Sequence, residues 1–159
     1  MIRYRLELGP GDLRSIPALA LATGFFSEAE IEVVRELVEE NLAKGPEASG
    51  YCFTLAEEGG ELAGFACHGP VPMTQGSFDL YWIAVHPAHM RRGLGSLLLD
   101  QVEEQARAAG ARLLYAETSD REQYHPTREF YLATGFAQAA RLPDFYAPGE
   151  GKVIYCKML

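Results

Sequence analysis

The sequence predicts a mixed α/β domain, and three observations carry that expectation. Short apolar runs of strand length alternate with segments of helical period over the whole chain. Hydrophobic residues make up 48% and charged residues 23% of the 159 positions, ordinary values for a globular domain with a core of its own. Glycine and proline punctuate the runs at the spacing of turns, with no repeat, low-complexity tract or linker between them. Residues 1–159 are therefore expected to form a single domain.

The elements follow in order. Tyr4 to Leu8 reads as an edge strand, broken by Gly9-Pro10-Gly11, after which Asp12 caps the apolar segment Leu13 to Ala22. Ser27-Glu28-Ala29-Glu30 is a capping box, in which the serine hydroxyl and the glutamate satisfy each other's backbone amides. Ile31, Val34, Leu37, Val38 and Leu42 continue that helix, and Gly45-Pro46 ends it. Tyr51 to Ala56 and Leu62 to Cys67 read as a hairpin around Glu57-Glu58-Gly59-Gly60. Phe78 to Val85 is nearly continuous in apolar and aromatic residues, as a central strand is, and stops at His86-Pro87.

Gly93 to Ala109 reads as a helix with Leu94, Leu97, Leu98, Val102, Ala106 and Ala109 on one face and Gly110 as its cap. Arg112 to Thr118 is a further strand, and Thr127 to Thr134 a short helix ending at Gly135. Phe136 to Leu142 and Val153 to Met158 are strands separated by a loop over Pro143 to Gly151.

Composition removes several classes of function. The net charge of −8 lacks the basic footprint that nucleic-acid binding requires and favours the approach of cationic small molecules, amines among them. No apolar stretch approaches the ~20 residues that span a bilayer, and the N-terminus has no secretory layout, so a cytoplasmic protein without membrane contact is expected. Cys52, Cys67 and Cys156 are odd in number and widely spaced, which suits buried thiols in a reducing compartment. They share no ligand spacing with His68, His86, His89 or His125, and no metal site is expected.

The most informative segment is FDLYWIAVHPAHMRRGLGSLLL, residues 78–99. A buried strand runs through a polar loop into Arg91-Arg92-Gly93-Leu94-Gly95-Ser96 and an amphipathic helix. The first amides of a helix lack intrahelical partners and carry partial positive charge, so they seat phosphate, and glycine lets the anion reach them. Arg91 and Arg92 add charge at the rim. A Gly-x-Gly equally serves a tight turn or close packing of helix on sheet. No Gly-Lys-Ser/Thr follows, as a Walker loop needs. Seven residues separate Val85 from Gly93 and position 98 is leucine, so the dinucleotide fingerprint is absent as well.

Met90 to Gly95, preceded by Ile83-Ala84-Val85-His86-Pro87, resembles motif A of the GNAT acetyltransferase superfamily, Gln/Arg-x-x-Gly-x-Gly/Ala. Met90 departs from it, which removes one side-chain contact to the coenzyme. Arg128 to Phe136, with Phe130-Tyr131 and Gly135-Phe136, resembles the superfamily's Phe-Tyr-x-x-x-Gly-Phe, and the element order matches throughout.

The resemblance implies a GNAT-type fold and an acetyl-coenzyme A-dependent N-acetyltransferase that transfers directly to an amine of a small molecule or protein. It places the pantetheine arm between the strands at 78–85 and 112–118, along the backbone of Ile83, Ala84 and Val85. The pyrophosphate would lie on residues 91–96, and Tyr131 would be the acid that protonates the departing thiolate. Glu117 corresponds to the base of some members, its pKa raised if it faces apolar neighbours, and it equally suits a solvated strand-end carboxylate. Asp79, Tyr81 and His125 are further candidates, and His125 also suits a capping role.

The Ser119–Pro126 loop has Tyr124 where many relatives carry a coenzyme-binding Asn, a contact that Ser119 could replace. Phe25-Phe26 and Asp144-Phe145-Tyr146 would border the acceptor. Pairing of C-terminal edge strands, and hence a homodimer, is implied by resemblance alone. A non-catalytic coenzyme-binding module and a transferase of another acyl group are the competing readings.

Overall fold

The computed structural model describes Met1–Leu159. Seven strands form a mixed sheet in the order β1-β2-β3-β4-β5-β7-β6. They are β1 (Arg3–Arg5), β2 (Cys52–Glu58), β3 (Glu61–Pro70), β4 (Ser77–Val85), β5 (Leu113–Ser119), β6 (Ala137–Ala147) and β7 (Glu150–Met158). The helices are α1 (Asp12–Ala22), α2 (Glu28–Ser49), α3 (Leu94–Ala108) and α4 (His125–Ala133), with 3₁₀ turns at Pro87–His89 and Glu122–Tyr124. The chain divides into two compact units, Met1–Gly69 with Trp82–Gln105 and Pro70–Tyr81 with Ala106–Leu159.

In the first unit the Ser27 capping box forms as expected, with Glu30 N–H donating to Ser27 Oγ and Ser27 N–H to Glu30 Oε1. Gly45 breaks the helical dihedrals at φ +80°, as its sequence context predicts, but Pro46 then starts one more turn and α2 runs to Ser49. The hairpin turns at Gly59-Gly60, and β2 and β3 pair from Cys52↔His68 to Glu58↔Glu61. Ile16, Leu19, Val34, Val38, Phe53, Leu55 and Phe65 are buried together, with Trp82 packed against them. Gly64 sits where a Cβ would lie 3.0 Å from the Ala84 carbonyl oxygen and 2.9 Å from Leu98, so α3 reaches the sheet only because this residue has no side chain.

The expected apolar face of α3 needs two corrections, the first being Ala109, which is exposed and lies beyond the helix end at Ala108. Leu97 is 46% exposed, whereas Leu99 is buried. Leu94, Leu98, Val102 and Ala106 keep the helical period, and Leu99 widens the stripe on the side away from Leu97.

In the second unit β5 and β7 pair antiparallel from Leu113↔Met158 to Ser119↔Lys152, and β4 pairs parallel with β5 from Ser77↔Leu113 to Leu80↔Ala116. The loop expected over Pro143 to Gly151 is mostly strand: β6 continues to Ala147 and β7 begins at Glu150. Pro143 is tolerated because β6 is the sheet's edge, and the register shifts between Leu142 and Ala147, where Asp144 has φ +57°.

Candidate functional site

The turn before α3 belongs to the first unit. His86 Nδ1 accepts from Ala88 N–H at 3.1 Å and begins the 3₁₀ turn. Arg91 then adopts φ +63° and Gly93 φ +75°. No atom outside its chain neighbours lies within 4 Å of where a Gly93 Cβ would be, so glycine is needed here for the dihedral and leaves open space beside the amides. Gly93, Ser96 and both arginines are exposed, Gly95 is half-buried, and Leu94 is buried as the anchor of the helix start. The positive end of a fifteen-residue helix therefore meets solvent through backbone that nothing covers.

The two arginines differ. Arg91 extends into solvent. Arg92 is held by Glu58, with Nη1 donating to Oε2 at 2.9 Å and Nη2 to Oε1 at 3.0 Å, while His89 Nδ1 lies 2.8 Å from Oε2. The Arg92 hydrogen bonds foremost, with smaller effects from the N-terminal ammonium 3.6 Å away and from His89, lower the Glu58 carboxyl to about 2. Glu58 was read from sequence only as a hairpin residue; it is far from Arg92 in the chain, and no local pattern couples them. Ile83 and Val85 are half-buried and Ala84 is buried, all at the end of β4, where His86 N–H donates to the Ala63 carbonyl at 2.8 Å.

The side-chain candidates lie in the second unit. Tyr131, 5% exposed, packs edge-on against Phe130 and Phe136 and tilts over Tyr155 at 5.5 Å. Burial, and secondarily Tyr155, pushes its phenol above the ordinary tyrosine value. Tyr155 pairs with Ala116 in the β5–β7 ladder, whereas Glu117 pairs with Ile154. Successive strand residues face opposite ways, so Tyr131 and Glu117 lie on opposite faces of this ladder.

Glu117 is not in an apolar site: it is 46% exposed and lies 2.7 Å from Lys152 Nζ, which also sits 4.1 Å over the Phe145 ring. Asp79, opposite Tyr115 in the register, shares the Glu117 face. Asp79 is the carboxyl that titrates high, through burial first and the Glu117 charge second, with Lys152 opposing. Lys152 escaped the sequence reading because its partner lies on a neighbouring strand.

His125 starts α4 without capping it and stands 4.0 Å from Glu129, exposed. Ser119 is engaged, donating to Glu150 Oε2 at 2.7 Å and accepting from Arg121 N–H at 3.1 Å. Phe26 packs on Trp82 at 4.6 Å as part of the core edge, whereas Phe145 and Tyr146 are about half exposed. The cysteines are free; burial raises the Cys67 thiol well above its ordinary value, which disfavours the nucleophilic thiolate. No group of His, Cys, Asp and Glu has the arrangement of a metal site.

An open, glycine-shaped helix start after a central strand, inside this order of elements, is the layout of a coenzyme-dependent acyltransferase fold. The chain belongs to the Acetyltransferase (GNAT) family, whose model matches residues 18–136. A crystal structure from Desulfovibrio desulfuricans, assigned to the same family, is 44% identical, covers 99% of both chains and superposes with a TM-score of 0.97. A GNAT family acetyltransferase from Elizabethkingia anophelis, solved with acetyl-CoA bound, shares the fold at a TM-score of 0.70 and 18% identity, covering 99% of this chain and 98% of that one.

By sequence, the L-amino acid N-acyltransferase MnaT of Escherichia coli (strain K12) is 28% identical over 98 residues, 60% of this chain and 56% of that protein. The chain spans about three fifths of the length of the curated relatives it matches.

Proposed function

We propose that the protein is an N-acetyltransferase that takes its acetyl group from acetyl-coenzyme A and passes it directly to a primary amine. The observation that carries this reading is the uncovered helix start at Gly93, with φ +75° and open space over its amides, in a chain of the GNAT family. The residues fit the coenzyme: a pyrophosphate seat needs N–H donors that a helix start leaves without intrahelical partners, and the exposed Gly93, with open space where a Cβ would be, lets an anion approach them. Arg91 adds a solvent-facing charge, and the backbone of Ile83, Ala84 and Val85 would hold the pantetheine arm and polarise the acyl carbonyl.

The coenzyme supplies an acyl group activated as a thioester. The chain's own side chains manage protons. The acceptor must lose one before its nitrogen can attack, and the Asp79–Glu117 carboxylates form the pair suited to take it. Glu117 is largely neutralised by Lys152, so Asp79, with its raised pKa, is the better matched base. Where the acyl carbon exchanges its bond to sulfur for the new amide bond, Tyr131 Oη would serve the departing thiolate as hydrogen-bond donor and acid.

Because burial raises the phenol, complete proton transfer to a thiolate whose conjugate thiol has a pKa of ~8.5 is uphill, so the phenol would act first as a hydrogen-bond donor to the developing negative charge.

Transfer is tested by following free thiol release from acetyl-coenzyme A across a panel of amines. Amine-dependent release supports the reading, and a chain that neither binds coenzyme A nor releases thiol contradicts it. The protein is further proposed to act in the cytoplasm, consistent with the lack of any helix long and apolar enough to cross a membrane.

A further inference from the structure

The Glu58 carboxylate stands beside the turn proposed to receive a polyanion, where its charge alone would weaken binding by repulsion. Its geometry argues that it does something else. Both of its oxygens are used on Arg92, through the two-point fork that a guanidinium makes with a carboxylate, and one also meets His89. The segment thus tied, His86 to Gly93, contains two residues at positive φ, one of them the non-glycine Arg91, and such backbone persists only when its surroundings hold it. Glu58 itself is well anchored: it ends β2, pairs with Glu61 across the hairpin and is followed at once by the Gly59-Gly60 turn. Beside the tie, Ile2, Leu94 and Leu97 line a small pocket with His89 and Arg92.

We propose that Glu58 is a positioning residue for coenzyme binding: by clamping Arg92 and His89 to the end of the β2–β3 hairpin it fixes the 86–93 segment so that the amides opening α3 stay convergent. The guanidinium of Arg92 is then a strut of the turn and Arg91 the arginine left to meet phosphate. The proposal rests on the coenzyme reading above. It is supported by the low Glu58 titration, which keeps the clamp charged across the working pH range.

The test combines two measurements on the full chain. Hydrogen–deuterium exchange without ligand should show faster exchange across residues 86–93 in Glu58→Gln than in the native protein, with unchanged exchange in α4. Calorimetric titration with coenzyme A should show affinity about tenfold weaker, and KM for acetyl-coenzyme A raised accordingly with kcat within about twofold. Arg92→Gln should weaken binding similarly, and the double variant no further, because both break one clamp.

Unchanged exchange, tighter coenzyme binding in Glu58→Gln, or additive losses in the double variant would overturn the proposal. Native protein that binds coenzyme A while Glu58→Gln binds it equally well removes only the role of Glu58. Native protein that does not bind coenzyme A at all removes the functional reading and this role with it.

Discussion

The turn at residues 86–96 and the nest around Tyr131, to which we assign phosphate binding and proton donation, are built of opposite materials. The first is surface backbone flanked by the Arg92–Glu58 pair, with Gly93 and both arginines exposed. The second is a phenol sealed among Phe130, Phe136 and Tyr155. An anion seat needs donors that are already aligned and reachable, which side chains in solvent achieve poorly and a helix start achieves well. A proton held for one step needs the reverse, a group whose proton the solvent does not take. The two regions therefore respond differently to substitution.

The sharpest way to break the contrast is Gly93→Val. A β-branched residue at φ +75° is strained by more than about 1–2 kcal/mol, and its side chain enters the open space over the amides. Coenzyme A affinity should fall by more than about a hundredfold, read by calorimetry, while circular dichroism stays native.

Tyr131→Phe probes the nest. Ring packing is conserved, so the melting temperature should move by no more than about 4 °C, yet kcat should fall about a hundredfold with coenzyme affinity unchanged. Unchanged kcat would leave Tyr131 a packing residue only.

A third prediction concerns the first unit's core. His68 is 2% exposed, and burial lowers its pKa from 6.5 to about 4. The folded state thus binds this proton less readily than the unfolded chain. The stability that depends on a neutral ring is complete above pH 6.5 and is lost as pH falls toward 4, by about 3 kcal/mol in all. Urea midpoints measured at pH 7 and pH 4.5 should show the loss, and His68→Leu should flatten it.

The smallest effect belongs to Asp79. Its folded pKa is raised, so its ionisation opposes folding once pH climbs through the ordinary aspartate value. Asp79→Asn should raise the urea midpoint slightly at pH 7 and leave it unchanged below pH 3.8. The same variant should lower transfer at neutral pH and remove the acidic limb of the kcat/KM profile; an intact limb would shift the base role away from Asp79.

What the sequence made legible follows from how each feature is encoded. The capping box at Ser27, the break at Gly45 and the turn at Gly93 are local backbone chemistry, and all three are found where glycine, proline and the caps announce them. Tyr131 and Phe136 stood out through the resemblance of Arg128 to Phe136 to a family motif, but Tyr155, which completes the nest, comes from β7 and has no local mark.

The extension of β6 past Pro143 was hidden because proline reads as a stop unless the strand is known to be an edge. Whether Glu117 faces apolar neighbours or solvent stayed open in the sequence because its partner, Lys152, is set by the β5–β7 register, a non-local property. Glu58 and Arg92 illustrate the same limit, 34 residues apart in sequence and joined by two hydrogen bonds.

The account stands most directly on where the coenzyme's phosphates bind. Coenzyme A titrated into isotopically labelled protein, followed by amide resonances, should shift Arg91 to Ser96 most strongly and saturably. Saturable binding that leaves those six amides unmoved would contradict it.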